Sequence, residues 1–91
     1  MEIKVKMFGL YAQAAGEAEF VIEIPDGSTV GHLVECLARR FPGLGTLVYE
    51  PGTATVSGKW LSVAVNGSTG HLEDRLTAGD TVAMFLPSAG G

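Results

Sequence analysis

The stretch Thr29-Val30-Gly31-His32-Leu33-Val34-Glu35-Cys36-Leu37-Ala38-Arg39-Arg40-Phe41 carries the clearest periodic signal in the chain. Val30, Leu33, Val34, Leu37, Ala38 and Phe41 recur at helical spacing, so one face of the segment is apolar. Thr29 is the expected N-cap, with Ser28 as the alternative, and Pro42-Gly43 is the expected stop. Each large side chain buried from such a face contributes about 1.5–3 kcal/mol, and the helix therefore needs a surface to lie on. Glu35, Arg39 and His32 fall opposite the apolar stripe, which assigns His32 to solvent. Cys36 falls near the flank of the stripe, and with no base recognised beside it reads as an inert thiol.

The surface comes from the segments on either side. Residues 2–8 alternate, with Ile3, Val5 and Met7 on one side and Lys4, Lys6 and Phe8 on the other, the period of a half-buried strand. Phe8 puts an aromatic on the lysine side. Residues 10–15 predict one or two helical turns ended by Gly16. Phe20, Ile22 and Ile24 then alternate with Val21 and Glu23 as a second strand, closed by Pro25-Asp26-Gly27. Beyond the helix, residues 44–49 predict a short helical turn, and a loop rich in Thr, Ser and Gly runs to Lys59, with Trp60 pinning its end. Leu61, Val63 and Val65 form a third strand, and Asn66-Gly67 is a strong two-residue hairpin signal. The return strand through Thr69 and His71 is short and polar, as suits an edge. Residues 72–76 turn Glu73, Asp74 and Arg75 outward, and Ala78-Gly79-Asp80 leads into a last strand, Val82 to Leu86.

The order is strand, strand, helix, strand, short strand, strand. One main helix covers one face of a mixed sheet, which is an α+β arrangement that leaves the other face open. The chain divides into a domain over 1–86 and a flexible tail over 87–91. That tail, Pro87-Ser88-Ala89-Gly90-Gly91, leaves a buried strand directly, with Pro87 stiffening its root. Glycine has no Cβ, so Gly90 and Gly91 suit a backbone that must thread a narrow slot and present a carboxylate at close range.

Composition excludes several classes of function. Six Lys and Arg against ten Asp and Glu give a net charge of −4, which argues against nucleic acid as a partner. No stretch approaches the roughly 18 consecutive apolar residues of a membrane span. The N-terminus enters a strand pattern at once, with no signal-peptide core, which predicts a cytoplasmic protein. One cysteine excludes an internal disulfide and a cysteine-clustered zinc site, and two distant histidines predict no metal.

The element order, Asn66-Gly67, the run Leu76-Thr77-Ala78-Gly79-Asp80-Thr81-Val82-Ala83 and the terminal Gly90-Gly91 together resemble the ubiquitin-like β-grasp sulfur carriers. The likeness is nearest to the MoaD family, the small subunit of molybdopterin synthase, with ThiS more distant. Leu86-Pro87 stands where that family usually has Pro-Pro. The resemblance implies that the Gly91 carboxylate is adenylated and converted to a thiocarboxylate, with Gly90 supplying clearance. It implies no bound cofactor, with ATP consumed by an E1-like adenylating enzyme, and a chain that is a carrier and not itself an enzyme. The implied partners are that enzyme, a sulfur donor system and the MoaE-like large subunit of molybdopterin synthase. In the resembling fold the first and last strands are central parallel neighbours. Phe8 and Phe85 are then expected to meet on the open face and, with Pro87, to dock a partner. Other expectations from the same residues are sulfur donation to cysteine, thiamine or another metabolite, a protein modifier joined through an isopeptide bond, or a binding module without covalent chemistry.

Overall fold

The computed structural model describes residues 1–49 and 61–86. The tail over 87–91 and the role expected of Trp60 lie outside the described residues. Along the chain run β1 (Glu2–Met7), α1 (Leu10–Ala15), β2 (Glu19–Glu23), α2 (Val30–Arg40), α3 (Pro42–Val48), β3 (Ser62–Val65), β4 (Ser68–Thr69) and β5 (Thr81–Phe85). The strands form one mixed sheet in the order β2-β1-β5-β3-β4, the expected α+β arrangement.

The inward residues of the two middle strands explain their position. Ile3, Val5 and Met7 of β1 and Val82 and Met84 of β5 are all buried, and both strands lie inside the sheet with a neighbour on either side. They run parallel, with Val5 beside Val82 and Met7 beside Met84. On their flanks β2 pairs with β1 and β3 with β5, both antiparallel. At the β3–β4 hairpin Asn66 (φ 51°) and Gly67 (φ 84°) are both left-handed, the conformation a two-residue turn needs to match the strand twist.

The buried face of α2 is the predicted one, Val30, Leu33, Val34, Leu37 and Ala38. Its N-terminus is closed by three separate acceptors. The Thr29 hydroxyl accepts from the His32 N–H at 3.2 Å, while the Val30 and Gly31 N–H groups donate to the carbonyls of Asp74 and Leu72 at 2.9 and 2.8 Å. These are donors a helix start otherwise leaves unpaired. A Cβ on residue 31 would stand 3.2 Å from the Leu72 carbonyl oxygen, so glycine is what lets the 72–76 segment lie against the helix.

One expectation about this layer needs correction, and another holds with an addition. The core is not closed by α2 alone: Tyr11 from α1 and Leu44 and Val48 from α3 are fully buried in it. Pro42 does end α2, but it also opens α3 as its first residue, where a missing N–H costs nothing and a fixed φ helps. Helices of six and seven residues span too few turns for periodicity to show which side chains point inward.

Candidate functional site

The site follows from where β5 is held and where it stops. Its start is fixed by a polar clasp on the 77–80 turn. The Asp80 carboxylate accepts from the Thr77 N–H at 2.8 Å, the Asn66 side-chain amide at 2.9 Å and the Thr77 hydroxyl at 3.0 Å. The Asn66 amide oxygen accepts in turn from the Thr81 N–H at 2.9 Å. These donors, the Thr77 backbone first, hold the Asp80 carboxyl below its ordinary value. The Lys4 N–H donates to the Asp80 carbonyl at 3.0 Å, and the Gly79 N–H to the Glu2 carbonyl at 2.8 Å, which sets the register of β5 against β1. Everything beyond Phe85 therefore leaves a strand anchored on both sides.

Around the end of β5 the structure brings together several exposed apolar groups. The Phe8 N–H donates to the Met84 carbonyl at 3.1 Å, carrying the β1–β5 pairing one step past Met7. Phe8 and Phe85 are thus register neighbours on the face away from the helices, with Phe8 half exposed and Phe85 half buried. Their rings do not form a stacked or edge pair; the ring pair among the described residues is Phe20–Phe41, T-shaped at 5.2 Å, with the Arg40 guanidinium over both rings. Phe85 instead lines an open groove of about 680 Å³ with Ser62, Ala64, Gly70, His71 and Leu72. Pro87, Gly90 and Gly91 lie outside the described residues.

Sequence reasoning missed the helical side of the same end. Leu10, Tyr11, Thr46, Leu47 and Leu86 line an open cavity of about 350 Å³. The available signal was Leu10, an apolar residue opening a helix too short to hide it. Burial pushes the Tyr11 phenol above its ordinary value, so that group stays neutral.

His32 is also placed differently from the expectation. It is half buried rather than solvated, and its Nε2 lies 3.6 Å from the Cys36 sulfur. The thiol therefore does have an imidazole neighbour, one helical turn away, which the i, i+4 spacing could have suggested. Among the described residues no group of three or more His, Cys, Asp or Glu side chains could hold a metal ion. No helix among them is long and apolar enough to cross a membrane.

Comparison with known proteins decides the family. The signature of the ThiS family matches residues 5–91, through the final two glycines. This chain belongs to the ThiS family. The small archaeal modifier protein 3 of Haloferax volcanii is 30% identical over 95 residues, covering all of both chains. The crystal structure of SAMP1 from the same organism is similar with a TM-score of 0.85 and 26% identity, again over the whole of both chains. A putative molybdopterin converting factor subunit 1 from Pyrococcus furiosus has a TM-score of 0.80 and 29% identity over 97% of this chain and 99% of that one. The ubiquitin-like β-grasp fold is thereby established, within a family of small sulfur carriers and modifiers.

Proposed function

We propose that this chain is a sulfur carrier whose working group is the Gly91 carboxylate. The observation that carries the reading is a family match running through Gly90 and Gly91, on a domain whose clasped central strand ends just before them. A carboxylate is a poor electrophile, so an E1-like partner first joins it to AMP from ATP and releases pyrophosphate. A sulfide equivalent from a sulfur donor then displaces AMP and leaves a thiocarboxylate, nucleophilic at neutral pH. The chain supplies the tether and the docking surface, and the partners supply the catalysis. Gly90 leaves room for the backbone in a narrow active site, while Phe8, Phe85 and Pro87 contact the partner around it.

The proposed acceptor is a pterin precursor of the molybdenum or tungsten cofactor, reached in the large subunit of molybdopterin synthase. Likeness to the Pyrococcus furiosus converting-factor subunit supports it. A second reading has its own support, the full-length likeness to small archaeal modifier protein 3: the activated glycine is passed to a lysine amine as an isopeptide. Intact mass of the chain recovered from its native cells tests both. Carriage gives the mass of one oxygen-for-sulfur exchange at the C-terminus, and modification gives larger conjugates that yield a Gly-Gly remnant on lysine. A chain found only with an unaltered carboxylate, in cells actively making the cofactor, contradicts the proposal.

A further inference from the structure

Four large hydrophobic side chains stand exposed among the described residues, and three of them, Phe8, Leu10 and Leu86, gather where β5 runs out. They occupy both sides of the sheet. Alternation along β5 puts Phe85 on the open face and Leu86 on the helical face, beside Leu10 and Leu47 in the 350 Å³ cavity. At that volume the cavity sits at the small end of ligand pockets, which typically exceed about 300 Å³. The Thr46 hydroxyl on its wall already donates to the Gly43 carbonyl at 3.1 Å. Among the described residues a small molecule would find few polar groups to orient it. An apolar side chain fits without needing any.

The charge pattern narrows the occupant further. Residues 8–16 and 41–49, the described segments that supply the helical side of this end, include no Asp, Glu, Lys or Arg in a chain of net charge −4. A basic surface would gain nothing here, whereas an apolar one would. Residues 87–91 follow Leu86, and five residues fully extended reach at most about 18 Å. An active site that holds the Gly91 carboxylate therefore lies within that distance of the cavity. The protein around its entrance is then close enough to meet Leu10 and Leu86.

We propose that Leu10, Leu47 and Leu86 form a socket for an apolar side chain on the rim of the ATP-dependent adenylating enzyme. This rests on the reading of Gly91 as the activated group. That enzyme is the appropriate occupant because it must act on every copy of the chain, whichever acceptor follows. The socket and the Phe8–Phe85 side then grip the two faces of one sheet end, and the tail needs little affinity of its own.

The test is carrier-dependent pyrophosphate exchange by the adenylating enzyme purified from the same cells, using the full chain. Leu10→Glu should raise the KM for the chain about tenfold or more with kcat nearly unchanged, the signature of lost docking. Its thermal unfolding midpoint should stay that of the parent. The same charge placed at Val21, the remaining exposed hydrophobic, should leave KM as it was. An unchanged KM for Leu10→Glu, an equal rise for Val21→Glu, or a rise matched by a lowered unfolding midpoint would each overturn the socket. If the parent chain supports no exchange at all, the reading of Gly91 fails, and the socket falls with it.

Discussion

Asp80 is the residue on which the geometry of the last strand most depends. Its carboxylate gathers three donors from Thr77 and Asn66, yet it remains close to solvent, so screening keeps its worth modest. Asp80→Asn should lower stability near neutral pH by on the order of 1 kcal/mol. The sign of the pH dependence follows from the depressed folded-state value. The unfolded carboxyl titrates at about its ordinary 3.8 and the folded one below that. The stabilisation is complete above the unfolded value and disappears as pH falls through the lower folded one. Urea unfolding of both proteins should therefore show a gap at pH 7 that closes below about pH 4; a gap that persists in acid would mean the carboxylate charge is not what holds the turn. At this scale the sequence was partly legible. Asn66-Gly67 and Gly79-Asp80 were readable as turns because only a few residue types tolerate such conformations. The side-chain bridge between the two turns was not, since it joins positions 14 residues apart through the sheet pairing. The Cys36–His32 contact is hidden for a simpler reason: the apolar stripe alone puts His32 on the solvent side, and only the four-residue spacing points to the contact.

Among the elements, α2 and the exposed ends of the strands should respond to truncation in opposite ways. Leu37 is fully buried on the α2 face, so Leu37→Ala should cost about 2–5 kcal/mol of folding stability. Phe8, half exposed just past β1, has little burial to lose. Phe8→Ala should change stability by about 1 kcal/mol or less, while costing about 2 kcal/mol or more of affinity for the activating enzyme. Denaturant unfolding beside calorimetric binding separates the two quantities. A large loss of stability with unaltered affinity would make Phe8 a packing residue. The phase of α2 and the alternation of β1 and β5 were legible because each runs for five residues or more against a dry core. The contributions of α1 and α3 were hidden by their length. Tyr11, Leu44 and Val48 reach the core only because tertiary packing lays these short helices beside the sheet, which no local pattern encodes.

At the scale of the whole molecule, a folded body stands apart from the C-terminal end proposed to react. Among the described residues the core is built from β1, β5 and their helical cover. The arrangement of central parallel strands is legible only through the family resemblance, since composition and periodicity alone allow other strand orders. The acceptor of the activated group was not legible, because it is chosen by partners whose surfaces this sequence does not contain. The central claim is that Gly91 must be the free terminus for activation. Its most direct test is to load three proteins with ATP, the adenylating enzyme and a sulfur donor, and to read their intact masses. The parent chain should gain the mass of one oxygen-for-sulfur exchange. The variant lacking Gly91 and the one carrying an extra residue after it should gain none, while all three unfold at the same temperature. Full sulfur loading of the extended protein, with the added residue still attached, would contradict the account.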